Sequence, residues 1–347
     1  MHQSKDIAIR PASLSKDRQE LIAVLERNFP GPATGFGWRH EENPAGPGWS
    51  WVVYDRQSGS VRAMASVFPR RAYVDGKPVV CGQVGEFAVD RGYRSLGPAL
   101  MLQRATFHPV DTGELAFCYD CPPHDRGMAT FVRLGMFSLC EVVRYTYLLR
   151  SDQYLTKKFG NGLWTKPLTT GANVLLGMRR TSREIAGLDI CLLPGKFGDE
   201  FTYLDTIVPS RDTIRTSRAA DLLNWRYRQR HDPEISGVDV LVARCSGELV
   251  AFLIVVAYRH GRASISDLFG QRLEEVGLPL LSEAIAVCRR KKLIGIDGCC
   301  SEKSELQKLL KAAGFRARER AARVVGYARS NVYELASWSA RHAEIYI

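Results

Sequence analysis

The chain has 347 residues, 48 Lys and Arg against 37 Asp and Glu (formal net charge +11), 45% hydrophobic and 24% charged side chains. Those proportions exclude a disordered chain, and the length fits about two domains of roughly 150 residues each. The basic balance suits an anionic ligand or surface, with CoA, nucleic acid and anionic lipid all open on charge alone; a solvated basic surface is the plainer reading.

Ile7-Ala8-Ile9 alternates with polar neighbours as a short strand, and Ser15 precedes a helix over Asp17 to Asn28 with Leu21, Ile22, Val24 and Leu25 on its apolar stripe. Phe29 to Gly48 is rich in Pro and Gly and reads as a long loop, of a length that is uncommon unless functional, so it is expected to fold over a substrate. Trp51 to Tyr54 and Val61 to Phe68 are strands joined by a turn ending Ser58-Gly59-Ser60, and a second turn at Asp75-Gly76 leads to a strand over Val84 to Val89. That strand feeds a polar turn and then Arg94-Ser95-Leu96-Gly97-Pro98-Ala99, directly before the apolar Leu100-Met101-Leu102. The pattern is a loop entering a helix with proline at its first position. Such a junction suits an anion, because the first amides of a helix have no partner within it and the dipole adds positive charge there.

Leu115 to Tyr119 is the next apolar strand, followed by a helix that ends in Leu134-Gly135-Met136-Phe137. Residues 151–215 are less periodic and read as a connector with one or two helices. A helix after Asp212 carries Leu222, Leu223, Trp225 and Tyr227. Trp225-Arg226-Tyr227 before the basic Arg228 to His231 could stack and charge-pair with a sugar or nucleotide, but aromatic residues at helical spacing more commonly pack in a core. Val238 to Ala243, Glu248 to Tyr258 and Arg262 to Phe269 are strands, Leu278 to Lys291 a helix, Leu293 to Ile296 a strand, and Ser304 to Ala313 a helix ending at Gly314-Phe315. The second half thus repeats the element order of the first.

Nine cysteines without a repeating framework, and no signal-peptide pattern, point to a reduced, cytoplasmic setting. Leu249 to Tyr258, the longest apolar run, is shorter than the about 20 residues of a membrane span. Cys118, Cys121 and His124 lack the second ligand pair of a structural zinc site, so no metal is expected.

Arg94 to Ala99 resembles motif A of the GNAT acetyltransferases, in which Arg or Gln, two residues, Gly, one residue and then Gly or Ala follow the fourth strand. Ala129 to Phe137 is similar to the motif B of that family. The resemblance covers roughly residues 6–150. It implies an α/β (α+β) fold with a mixed, mostly antiparallel sheet flanked by helices. It also implies acetyl-CoA, or another acyl-CoA, as co-substrate, the loop amides of Arg94, Ser95, Leu96, Gly97, Pro98 and Ala99 on its pyrophosphate, and Phe87, Ala88 and Val89 along its pantetheine arm. The expected organisation is an acyl-CoA domain (1–150), the connector (151–215) and a second, degenerate lobe (216–347). That lobe has no phosphate loop after Phe269 and carries Glu274 and Glu275 instead. One CoA per chain is expected, and a fragment ending near Arg150, if soluble, is expected to keep CoA binding and transfer poorly.

Acyl transfer to an amine needs a base for the amine, polarisation of the thioester and release of the thiolate. Glu86 is the first candidate base by the resemblance, with a structural pairing to an arginine as its bland alternative; His124 is the second. Tyr119 and Asp120 end the strand beside the expected acetyl position. Two departures stand out: Pro98 supplies no N–H, and Phe131 stands where many relatives have a tyrosine acid. The implied activity is N-acyl transfer to a small-molecule or peptide amine. A Fem-like aminoacyltransferase fed by charged tRNA, and a non-catalytic binding protein, are the competing readings. Nucleic acid is not the expected partner, and the oligomeric state is left open.

Overall fold

Asp17, not a serine, starts the first helix. Its carboxylate accepts the Ser13 N–H at 2.7 Å and pairs with Arg10 at 2.7 Å, so α1 (Leu14–Asn28) begins ahead of Ser15. It connects β1 (Ile7–Pro11) to α2 (Phe36–His40), a short helix inside the segment read as loop, and then to β2 (Trp49–Asp55). β3 (Val61–Val74) and β4 (Lys77–Val89) form a long hairpin across Asp75 and Gly76, whose φ values of 51° and 79° are the left-handed pair a tight hairpin turn requires. The computed structural model describes residues 6–31, 33–94, 96–122, 125–150, 187–209, 213–229, 232–302, 304–329 and 342–344.

After β4 come α3 (Leu96–Ala105), α4 (His108–Asp111), β5 (Phe117–Asp120), α5 (Asp125–Arg133) and β6 (Phe137–Leu148). The stretch read as connector carries β7 (Leu188–Leu192), α6 (Asp199–Ile207) and β8 (Thr213–Thr216) among its described residues. A buried Arg215–Asp205 pair at 2.5 Å, to which the Ser217 hydroxyl also donates, fixes α6 on β8 with its charges matched. There follow α7 (Ala220–Tyr227), β9 (Ile235–Cys245), β10 (Glu248–Tyr258), β11 (Arg262–Gly270), α8 (Leu273–Arg290), β12 (Gly295–Ser301), α9 (Glu305–Ala312), β13 (Arg316–Ala328) and β14 (His342–Glu344). α8 starts five residues before the expected Leu278 and runs through Pro279. It can lie close on α9 because Gly277 has no Cβ; one there would come within 2.6 Å of Leu309 Cδ1.

The strands form one mixed, mostly antiparallel sheet in the order β1-β2-β3-β4-β5-β13-β6-β12-β11-β10-β9-β7, flanked by helices. β8 pairs with the end of β3, and β14 with β8. This is the fold class expected from the sequence. Strand order departs from chain order at the centre: β13 lies between β5 and β6, and β6 lies between β13 and β12. Each half-sheet is therefore completed by a strand from the other half of the chain.

Within the path from β1 to β7 two neighbouring pairs are parallel, β4 with β5 and β11 with β12. Both part after a few residues. β4 and β5 pair only at Gly82–Cys118 and Gln83–Tyr119, so Val84 to Val89 run on without β5 beside them. β11 and β12 pair through Ile265–Gly298 and then diverge. Alternation along the strands gives the first half-sheet two distinct faces. One face, with Val84, Val89, Cys118 and Val325, packs with Leu102 of α3 and Phe131 of α5. The other carries Met64 and Ala88 under Leu21, Val24 and Phe36, and further along Ala72 and Tyr119.

Candidate active site

Where β4 parts from β5 it also bulges. Its register against β3 shifts between Met64–Ala88 and Ser66–Gly85, and Glu86 takes up the extra residue with φ 51°. A non-glycine residue held left-handed inside a strand is costly and marks a position fixed by its surroundings. Here those surroundings are α2. The Glu86 side chain is 4% exposed, its Oε2 lies 2.6 Å from His40 Nε2, and its Oε1 lies 3.0 Å from Arg39 Nη1. His40 is fully buried, stacked on Phe36 and edge-on to Phe68. Glu86 thus has the arginine partner that the bland reading supplied, and His40 in addition.

Trp38, the residue before Arg39, ties α2 to the other half of the chain. The Trp38 indole donates to the Trp225 carbonyl at 2.8 Å, and the Trp225 indole donates to the Trp38 carbonyl at 2.9 Å. Their rings stack at 4.3 Å. Arg70 of β3 lies over the Trp225 ring at 4.7 Å and donates twice to Gln83 Oε1, at 3.1 and 2.8 Å. Contacts therefore run from Gln83 through Arg70, Trp225 and Trp38 to Arg39, His40 and Glu86, closing on the strand where they began. Trp225 is 2% exposed, so the packing reading of its helix holds, with a cation on its face.

On the opposite side the strand leads into α3. This helix begins at Leu96, which puts Pro98 in the third position of the first turn, two residues later than its expected place. A proline there costs no helical hydrogen bond, and the N–H groups of Leu96 and Gly97 are the ones without an intrahelical acceptor. A Cβ at Gly97 would meet nothing within 4 Å among the described residues, so there is free space beside this residue. Arg94 turns back on the chain, its Nε donating to the Val89 carbonyl at 3.0 Å and its Nη2 to Asn28 at 3.1 Å. Ala99 is half-buried, and Phe87 is half-buried against the core of this face. Ser95 and His124 lie outside the described residues.

The end of β5 carries two titratable groups on opposite faces. Tyr119 is 1% exposed, and burial pushes its phenol well above the usual range, with the Arg70 guanidinium pulling the other way. Asp120 pairs in register with Val325, which places it on the α3 and α5 face together with Phe131. Burial raises the Asp120 carboxyl to about 7, opposed by the Cys121 N–H that donates to it at 2.7 Å. Phe131 is packed in the core and brings no polar group to this face.

The second parting, between β11 and β12, opens into a cavity of about 380 Å³. Ile235, Val238, Val256, Leu268 and Leu273 give it apolar walls, Asp267, Arg218 and Arg226 supply charge, and Cys121 just beyond β5 also lines it. Volume and lining are those of a site for a small organic ligand. At the head of α8, where the first half has its open helix start, Arg272 and Glu275 form an ion pair. Of the charged residues around this cavity, Arg226 lies in the Trp225-Arg226-Tyr227 stretch singled out in the sequence, while Arg218 and Asp267 carried no local signal there.

No protein-family model matches the chain, and no curated protein is similar to it in sequence. Solved structures are similar in fold. A probable N-acyltransferase of Enterococcus faecalis superposes with a TM-score of 0.65 at 11% identity, covering 93% of this chain and 72% of that one. A GCN5-related N-acetyltransferase of Anabaena variabilis gives 0.64 at 15%, covering 92% and 72%. The chain has the GNAT fold. The N-myristoyltransferase of Saccharomyces cerevisiae with bound myristoyl-CoA, a tandem GNAT-like protein, superposes at 0.55 with 11% identity over 94% of this chain and 84% of that one. Coverage of nine-tenths of the chain extends the GNAT likeness well past the residues 6–150 that carried it in the sequence. Among the described residues no helix is long and apolar enough to cross a membrane, and no three His, Cys, Asp or Glu side chains gather as a metal ion requires.

Proposed function

We propose that this protein is an N-acyltransferase that takes an acyl group from acyl-CoA, acetyl-CoA being the default donor, and passes it to an amine. One observation carries the reading: β4 leaves β5 after Gln83, bulges at Glu86 and leads into the first turn of α3, with free space beside Gly97. In this reading residues 1–150 hold the donor, with the pantetheine arm along Phe87, Ala88 and Val89 and the pyrophosphate at Arg94 to Ala99. Residues 151–215 connect, and residues 216–347 face the acceptor. One CoA per chain is expected, a reading supported by the Arg272–Glu275 ion pair at the corresponding start of α8.

The donor supplies an activated thioester carbonyl. Glu86, on the face shared with α2, takes the proton of the attacking amine, and Arg39 and His40 hold its carboxylate in place. The thiolate leaves on the other face, where Phe131 has no proton to give. Asp120 stands there instead, and with a pKa of about 7 it is half-protonated near neutrality, poised to protonate the sulfur.

CoA calorimetry with Gly97→Asp tests the donor site. The new carboxylate would face the pyrophosphate in space that is now open, so CoA should bind at least about 30-fold more weakly while the thermal midpoint stays put. Undiminished affinity would remove the α3 assignment, and two CoA equivalents per wild-type chain would remove the single-site reading.

Asp120→Asn should lower turnover by about 10- to 100-fold, less than loss of a base would, because a thiolate is already a fair leaving group. The wild-type rate should fall as pH rises through about 7 and Asp120 ionises, and the variant should lose that limb. Stability moves the other way. A carboxyl whose folded pKa is raised above its unfolded value has its full stabilising effect below about 4 and loses it as pH rises toward 7, so the variant should melt higher than wild type at pH 8. A variant with the wild-type pH profile would return the proton to solvent.

A further inference from the structure

Beside the large cavity lies a second space of about 30 Å³, walled by Arg70, Arg71, Tyr119, Thr216, Arg218 and Arg226. The two spaces share Arg218, Arg226, Tyr227 and Asp267 and so adjoin. Among the polar atoms buried on the walls of the small one, Arg70 Nη1, Arg71 Nε, Tyr119 Oη and Thr216 Oγ1 have no hydrogen-bond partner among the described residues. All four can donate. Even with Arg70 donating to the phenol oxygen, the Tyr119 O–H keeps its own proton to offer, since a guanidinium has no acceptor. Buried donors left in this way are costly unless something accepts from them.

Charge points in the same direction. Four guanidinium groups meet at this space; Asp267 lies 3.4 Å from Arg218, and Asp221 pairs with Arg71. Burial together with the Arg226 charge draws the Arg70 pKa down, so an anion placed here would stabilise the charged guanidinium. Tyr119 and Arg70 lie on the Glu86 face of the sheet, away from the α3 pyrophosphate site, so the anion expected here is not the donor's. A space of this size takes a group of a few heavy atoms, and the lone pairs of a carboxylate's two oxygens can accept from the separate N–H and O–H donors of Arg70, Arg71, Tyr119 and Thr216.

We propose that this space binds a carboxylate of the acceptor: the substrate is an amine that also bears a carboxylate, with an apolar body lying in the adjoining 380 Å³ cavity. The word acceptor rests on the acyltransferase reading above; the anion site does not.

Calorimetry of the full chain with N-acetyl-L-tryptophan and with N-acetyl-L-tryptophanamide tests it, because the two probes share a body and an acylated nitrogen and differ in the carboxylate. The acid should bind at least about 10-fold more tightly. Tyr119→Phe should lower the acid's affinity about 10-fold, leave the amide's unchanged, and melt no lower than wild type, since it removes a hydroxyl whose proton has no acceptor among the described residues. Arg70→Gln should narrow the acid-to-amide ratio further. Equal affinities for the two probes, binding of neither at millimolar concentration, or a preference that survives both substitutions would overturn the proposal. A CoA titration of the same preparation separates the two readings: a preference for the acid without CoA binding would sink the acyltransferase and leave the anion site standing.

Discussion

Glu86→Gln should lower turnover by about 10²- to 10⁴-fold and leave CoA affinity nearly unchanged. The substitution is close to isosteric. The amide keeps an oxygen for the His40 ring and tolerates the left-handed backbone at φ 51° about as well as the acid does, so α2 should stay on the bulge. In the proposed mechanism it removes the proton acceptor on the face where the amine is expected to arrive. Because CoA is expected on the other face, at α3, its affinity separates a chemical role from a general loosening of the site. The experiment is a measurement of kcat across roughly pH 6 to 9 beside a CoA titration. Equal turnover in variant and wild type would make Glu86 a positioning residue that only fixes α2. Parallel losses of turnover and CoA affinity would mean that the bulge itself had collapsed.

A fragment ending at Arg150 should fail to fold as a soluble monomer. From the sequence such a fragment looks self-sufficient, since it holds β1 to β6 and both motif-like segments. In the sheet, however, β5 and β6 do not touch. β13 separates them, pairing Val325 to Ala328 with Asp120 to Phe117 on one edge and running beside β6 from Thr146 to Phe137 on the other. Removing it exposes two unpaired strand edges and takes the fully buried Val324 and Val325 out of the core. Open edges beside apolar surface are sites of aggregation. Size-exclusion chromatography and thermal melting are the checks: a monomeric fragment with a cooperative transition would show that β5 and β6 can close on each other without β13.

Most single elements were legible in the sequence because they follow local chemistry. The Asp75-Gly76 turn, the β9–β10 hairpin and the Gly135 turn after α5 all lie where side-chain type and glycine placement put them. The start of a helix just after Arg94 was legible for the same reason. Starts and stops were missed where a distant partner accompanies the change: Asp17 pairs with Arg10 at the start of α1, and α8 runs through Pro279 where Gly277 lies close against Leu309. The exchange of β6 and β13 had no local signal, because each reads as an ordinary strand after a helix and a glycine turn. The same holds for the partners of Glu86 and for the arginine cluster around Tyr119, which gather from segments far apart in the chain.

The placement of β13 also bears on how the protein is made. Val325 and Asp120, paired in the finished sheet, are roughly 200 residues apart, a long loop to close. At about 5–20 residues per second, on the order of 10–40 s of synthesis separates the emergence of β5 from that of the strand that covers it. During that interval β5 and β6 leave the ribosome without their common neighbour, and the first half can complete its sheet only after translation has passed residue 328. A ligand that binds only the finished sheet cannot rescue a chain stalled in that interval, because its stabilising effect begins once the folded site exists.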